Sequence, residues 1–105
     1  MEKRRPHYDL ARIHALIDNK QSRVITTTAF NTAARLGFGV SEIVACVKQL
    51  TDVDFYKSMT THFDHTRWQD VYRPSFEGYR LYVKLQLSLQ DQTVVISFKE
   101  LENND

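Results

Sequence analysis

Cysteine occurs once in this 105-residue chain, as Cys46. No internal disulfide can form, and a reducing cytoplasm is the expected setting. Cys46 lies in an apolar run with no acid–base partner beside it, so it reads as a buried core thiol rather than a nucleophile. Glycine is almost as scarce: Gly37, Gly39 and Gly78 are the three present. They are too few and too scattered for a glycine-rich phosphate loop. No apolar stretch approaches the roughly 20 residues of a membrane span. The charged opening Met1-Glu2-Lys3-Arg4-Arg5 is not followed by the apolar segment of a secretion signal. Neither secretion nor a membrane role is expected. Repeats, linkers and low-complexity tracts are also missing, so residues 1–105 are expected to form one domain.

What is present is an ordinary globular balance, 42% hydrophobic and 26% charged, with a formal net charge of +1. The distribution says more than the sum. Residues 1–50 carry eight Lys or Arg against four Asp or Glu, and residues 51–105 carry six against nine. Much of that acidity is peripheral, at Asp52, Asp54, Glu100, Glu102 and Asp105. A local basic face is therefore compatible with a nearly neutral protein.

The first half reads as helical. Asp9 can cap a helix carrying Leu10, Ile13, Leu16 and Ile17, which Asp18-Asn19 would stop. Thr26, Thr27 and Thr28 precede a second, with Ala29, Phe30, Ala33, Ala34 and Leu36, ended by Gly37. Ser41 is the expected cap of a third, with Ile43, Val44, Val47 and Leu50 as its stripe. Thr51 with Asp54 resembles the capping of a further short turn.

The second half reads as strands. Phe55–Thr61 and Trp68–Tyr72 favour extended chain, and Pro74 interrupts the latter. From Tyr79 to Leu89 the residues Tyr79, Leu81, Val83, Leu85, Leu87 and Leu89 alternate with Arg80, Tyr82, Lys84, Gln86 and Ser88. This predicts a strand with one buried and one wet face. Thr93–Lys99 is expected to follow with Val94, Ile96 and Phe98 inward. A two-residue hairpin loop at Asp91-Gln92 would set Lys84 opposite Lys99, a like-charge pairing whose cost a bound polyanion could offset, although the favoured reading is that both lysines splay into solvent. The expected fold is α+β, an antiparallel sheet with helices packed on one face and the other face open.

Four histidines raise the question of metal. His62 and His65 bracket Asp64, yet no third ligand has a recognisable spacing, and no metal or other cofactor is expected. Ser58 and Ser97 lack the context of a catalytic serine. What remains is a polar and aromatic set on the expected strands: Tyr56, Lys57, Ser58, Gln69, Tyr72, Arg73, Tyr82 and Lys84. Metal-free RNA cleavage needs a base for the ribose 2′-OH, a cation for the attacked phosphate and an acid for the leaving 5′-oxygen. Lys, Tyr and Arg can fill these parts, and aromatic rings can stack on unpaired bases. The set is sufficient for that chemistry without being specific to it. On the residues alone, generic nucleic-acid or protein binding stands ahead of ribonuclease.

The block Asp54-Phe55-Tyr56-Lys57-Ser58-Met59-Thr60-Thr61, then Asp64-His65-Thr66, then Trp68-Gln69-Asp70-Val71-Tyr72-Arg73-Pro74, resembles the signature of the MqsR toxin family. The opening Met1-Glu2-Lys3-Arg4 with Pro6-His7 and the ending Ser97-Phe98-Lys99-Glu100 are similar to it too. The resemblance is densest from 54 to 74 and weakest from 8 to 50. It implies a RelE-like fold and a ribosome-independent mRNA interferase that cleaves at short, GC-containing sites and is neutralised by its antitoxin. That MqsA-like partner is implied to carry a zinc-bearing toxin-binding part and a helix-turn-helix part, with operator DNA bound only through the complex. Links to motility, quorum sensing and biofilm formation are implied as well. Position by position, the resemblance assigns catalysis to Lys57, Gln69 and Tyr82 and substrate contact to Tyr56, Met59, Arg73 and Lys99. It also matches at His7, to which it brings no chemical role. The competing expectation is an inactive homologue that serves as an antitoxin-binding or nucleic-acid-binding module in operon regulation.

Overall fold

The computed structural model of the chain describes residues 1–103. Of the acidic tail, Asn104 and Asp105 lie outside the described residues. In chain order the elements are β1 (Glu2–Lys3), α1 (Leu10–Ile17), β2 (Arg23–Ile25), α2 (Thr27–Arg35), α3 (Val40–Gln49), β3 (Phe55–Thr60), β4 (Trp68–Tyr72), β5 (Ser75–Phe76), β6 (Tyr79–Leu87) and β7 (Thr93–Glu100). Single 3₁₀ turns occupy Lys20–Ser22 and Asp52–Asp54.

The helices begin where side chains meet the first free N–H groups. Asp9 accepts from Ala11 N–H at 3.2 Å, and α1 then buries Ile13 and Ile17. Thr26 Oγ1 accepts from Ala29 N–H at 3.1 Å to open α2, and Gly37, at φ +86°, lets the chain turn away after it. Helix α3 starts earlier than the expected cap at Ser41. Gly39 is its N-cap, and Glu42 Oε1 reaches back to accept Gly39 N–H at 2.6 Å. A carboxylate three residues into a helix is well placed for that N–H. Ser41 donates instead to Glu42 Oε2 at 2.9 Å.

The sheet runs in the order β1-β3-β4-β6-β7-β2, with β5 pairing separately on β6. It is antiparallel except at one edge. There β2 lies parallel to β7, Arg23 against Thr93 and Ile25 against Val95, and the rest is the expected α+β arrangement of an antiparallel sheet with helices on one face. Thr26 fixes this edge by donating its N–H to Val95 O at 3.2 Å and its hydroxyl to Ile96 O at 3.0 Å. The helices cover one face. Ile13, Ile17, Ala29, Ala33, Ile43, Val47 and Cys46 pack with Tyr72, Leu81, Val83, Leu85, Val95 and Phe98 of the sheet. A buried Phe or Ile in such a core contributes about 2–3 kcal/mol by leaving water.

The β6–β7 hairpin departs from expectation in two ways. Strand β6 stops at Leu87, and Leu89 is 87% exposed rather than inward. The loop is five residues, 88–92, tied by Ser88 Oγ accepting the N–H groups of Gln90 and Gln92. In addition, Leu85 pairs with Val95 while Lys84 pairs with Ser97, so Ile96 is the extra residue of a β-bulge. The bulge reverses the phase of β7. Thr93 and Val95 take the buried face before it and Phe98 after it; of the expected inward set Val94, Ile96 and Phe98, Phe98 alone is buried.

Asp70, on the buried face of β4, is completely excluded from water. Its carboxylate accepts His7 N–H at 3.1 and 3.0 Å and Tyr8 N–H at 2.9 Å. Tyr8 in turn donates its hydroxyl to Trp68 O at 2.7 Å. The segment entering α1 is thereby tied to the centre of the sheet. Replacing Asp70→Ala strands two N–H groups, and the expected loss is about 3 kcal/mol in urea unfolding. Asp70→Asn retains one acceptor oxygen and should lose roughly half as much.

Candidate functional site

Side chains directly opposite one another in an antiparallel ladder share a face. Ser58, Asp70, Leu85 and Val95 are cross-strand partners on the helix side. The residues flanking them therefore point to the open side. One row there is Lys57, Val71, Lys84 and Ser97. The next holds Glu2, Met59 and Gln69. Gln69 Nε2 donates to Gln86 Oε1 at 3.1 Å, and Gln86 pairs with Val94. On the other flank Tyr82 pairs with Lys99. Arg73, just past β4, lays its guanidinium 3.9 Å from the ring centre of Tyr56.

Lys57, Gln69 and Tyr82 thus come from three different strands and project from one face. Tyr56, Met59, Arg73 and Lys99 lie on that side too, so all seven residues singled out in the sequence share the open face. The face is less wet than expected: Tyr82 is only 9% exposed. Nor does Lys84 oppose Lys99. The five-residue loop and the bulge together put Tyr82 in that place, with the Lys84 and Lys99 ammonium groups 5.7 and 5.1 Å from its ring centre. An aromatic face between two cations is an attractive arrangement, where directly paired lysines would repel.

Tyr56 is similarly collared. Arg4 and Lys57 lie 5.4 Å from its ring centre, in addition to the closer Arg73. Arg73 occupies one face of the ring, so at most the other is open to a base. Lys57 Nζ is 2.6 Å from Glu2 Oε1. The hydrogen bond and charge of Lys57 hold the Glu2 carboxyl below the usual carboxylate range.

His7 lies elsewhere, on the helix side of the sheet edge. Its ring stacks on Trp68 at 5.4 Å and 17°. Lys3 Nζ is 2.9 Å from His7 Nδ1 and 4.2 Å from the Trp68 ring centre. Trp68 is therefore a half-buried packing surface. A hollow of about 590 Å³ opens beside it at the start of α1, lined by His7, Tyr8, His14 and Asp52 among others, away from the trio. Tyr72 is fully buried, with its hydroxyl pushed up by burial. Cys46 is core, its thiol pushed up to about 12 by burial. His62 packs edge-on against Phe63 in the β3–β4 loop. Among the described residues no three His, Cys, Asp or Glu gather as metal ligands, and no helix is long and apolar enough to cross a membrane.

Sequence reasoning did not find Glu2, Arg4 or Gln86. A two-residue strand leaves no periodicity to read, and a glutamine on a polar strand face carries no signal of its partner.

A twisted, mostly antiparallel sheet with three helices on one side and a cationic, aromatic open side is an architecture consistent with the RelE-like toxins. Within that class the chain belongs to the MqsR family: residues 5–100 match the family described as motility quorum-sensing regulator, toxin of MqsA. A protein of Escherichia coli (strain K12) named mRNA interferase toxin MqsR is 40% identical over 100 residues, spanning 95% of this chain and 99% of that one.

The His7 environment yields a measurable consequence. Burial, then the charge of Lys3, lowers its pKa below the ordinary histidine value. A lowered folded-state value means that stability is undiminished above about 6.5, the unfolded value, and declines as pH falls toward the folded one. In an NMR titration the His7 ring should protonate below a free histidine. Lys3→Met should move that midpoint upward; an unchanged midpoint would leave burial as the whole cause.

Proposed function

We propose that this chain is the toxin of a type II toxin–antitoxin pair, an endoribonuclease that cleaves mRNA on the open face of its sheet. The observation that carries this reading is the convergence of Lys57, Gln69 and Tyr82, from β3, β4 and β6, on one face among Arg73, Lys84 and Lys99. Family membership and the name of the Escherichia coli relative support the same activity.

In this reading the ribose 2′-oxygen attacks the adjacent phosphorus as the bond to the 5′-oxygen breaks. The products are a 2′,3′-cyclic phosphate and a free 5′-hydroxyl. Lys57 stabilises charge on the phosphate or shares proton transfer. Tyr82 is the acid–base partner, and Gln69, its amide held by Gln86, orients ribose or phosphate. Arg73 and Lys99 attract the backbone. Tyr56 fixes the Arg73 guanidinium on one side of its ring and offers the other to a base. Met59 borders the row of Gln69 and lends apolar contact. No resident cofactor has a part. The partner is an MqsA-like antitoxin with a zinc-bearing toxin-binding part and a helix-turn-helix part. Operator DNA is reached only through that complex, and the working compartment is the cytoplasm. Short GC-containing sites are the cleavage targets.

The test is cleavage of a defined RNA by purified protein in excess EDTA. Wild type should cut at discrete sites. Lys57→Ala and Tyr82→Phe should each be slower by roughly 10²-fold or more, the usual range for losing a general acid or base. Intact RNA in every lane, with and without translating ribosomes, would sink the enzymatic reading and leave the inactive homologue.

The steering role has its own readout on a non-cleavable RNA with 2′-deoxyribose at the cut site. Arg73→Ala and Lys99→Ala should each flatten the plot of log affinity against log salt by about 0.7, the loss of one single-strand phosphate contact. Unchanged slopes would remove both residues from the RNA path.

A further inference from the structure

The N-terminal segment is built into the active face. Glu2 pairs with Met59 on β3, and its carboxylate meets Lys57 at 2.6 Å. Strand alternation sends Lys3 to the opposite face, where it covers Trp68. Arg4 returns to the open side, against the ring and carbonyl oxygen of Tyr56. The backbone on either side of Glu2 is tied down. Thr60 N–H donates to Met1 O at 2.9 Å, and the buried Asp70 holds His7 and Tyr8.

Lys57 itself has a side chain only 21% exposed, while that of Glu2 is 53% exposed. A lysine gives up rotamer freedom when held in one place, so something must hold it. The Lys57 ammonium is met by the Glu2 carboxylate and lies 5.4 Å from the ring centre of Tyr56. An ammonium has three N–H donors, and a bond to Glu2 leaves two for a phosphate.

We propose that Glu2 is a positioning residue for the cleavage reaction: its carboxylate holds the Lys57 ammonium on the open face at the height a scissile phosphate requires. This rests on the reading of Lys57 given above. Two consequences oppose each other and so separate the role from simple attraction of RNA. Removing a negative charge from the face favours RNA binding, whereas releasing Lys57 from its position slows the chemical step. A half-exposed ion pair contributes little to folding, so the fold tolerates its loss.

The experiment is steady-state cleavage of an RNA oligonucleotide carrying GC steps by Glu2→Ala, Glu2→Gln and Lys57→Ala, each first checked for a wild-type circular dichroism spectrum. Glu2→Ala is expected to lower kcat about tenfold or more, as small misplacements of a reacting group do, with KM unchanged or lower. Glu2→Gln keeps an acceptor oxygen and should recover most of kcat. A kcat within twofold of wild type for Glu2→Ala, or a loss confined to a raised KM, overturns the proposal. The Lys57 ammonium resonance in ¹⁵N NMR gives a readout independent of turnover. It should be sharp in the wild type and lost to exchange in Glu2→Ala, and its persistence there overturns the proposal as well. Full cleavage by Lys57→Ala would instead show that the functional reading fails. A dead Lys57→Ala beside a fully active Glu2→Ala would reject this inference alone.

Discussion

The buried carboxylate of Asp70 is the interaction on which both sides of this molecule depend. A charge with no access to water is tolerable only when its oxygens are met by donors. Here the donors are the backbone N–H groups of His7 and Tyr8, the last turn of chain before α1. One contact therefore does two jobs. On the helix side it sets where α1 begins and so where Ile13 and Ile17 enter the core. Along the edge it fixes the chain that runs back through Arg4, Lys3 and Glu2, which is how a short terminal strand comes to lie beside β3. Because β4 alternates, Asp70 pointing inward also obliges Gln69 and Val71 to point outward.

The open face presents a second electrostatic problem, since it gathers Lys57, Arg73, Lys84 and Lys99. Like charges on a small sheet would repel and splay into solvent. Aromatic rings reduce this cost: Tyr56 lies under Arg73, and Tyr82 lies near both Lys84 and Lys99. Each of these ring contacts helps to hold a cation in place. The cations are thereby pre-ordered, so less side-chain freedom is lost when a ligand arrives. Lys57, near the ring of Tyr56, also has an anionic partner in Glu2.

Much of the fold was legible because its signals are local. Leu10, Ile13, Leu16 and Ile17 repeat at helical spacing beside an Asp cap, and α1 follows them residue for residue. Leu81, Val83 and Leu85 alternate, and all three are fully buried. What was not legible depends on contacts distant in sequence. Strands β1 and β2 have two and three residues, too short for any period. The parallel edge exists because Thr26 meets carbonyls some 70 residues away. At Gly39 the cap comes from a glutamate ahead of it, so the serine that looked like the cap was not needed. The site followed the same division. Tyr82 and Lys84 were visible as the polar face of a strand, but composition and spacing alone did not separate Lys57 and Gln69 from ordinary surface polarity. Family resemblance supplied those two, and the face they share became visible only with the register.

That register turns on Ile96. If β7 continued in the pairing that joins Leu87 to Thr93 and Leu85 to Val95, Tyr82 would face Phe98, and Leu81 would face Lys99. Phe98 would then lie on the open side and Lys99 would be driven into the core, because a shift of one residue exchanges the faces of a strand. The extra residue at Ile96 corrects both at once: Phe98 is fully buried, and Lys99 stands beside Tyr82. A bulge disturbs the ladder and frees backbone groups. Thr26 answers at that spot, its hydroxyl donating to Ile96 O while its oxygen caps α2. Thr32 does the same six residues on, donating to Phe98 O at 2.6 Å. The helix that covers the core thus also stabilises the irregularity that builds the opposite face. Changes on the buried side of α2 should therefore be felt across the sheet at Tyr82 and Lys99.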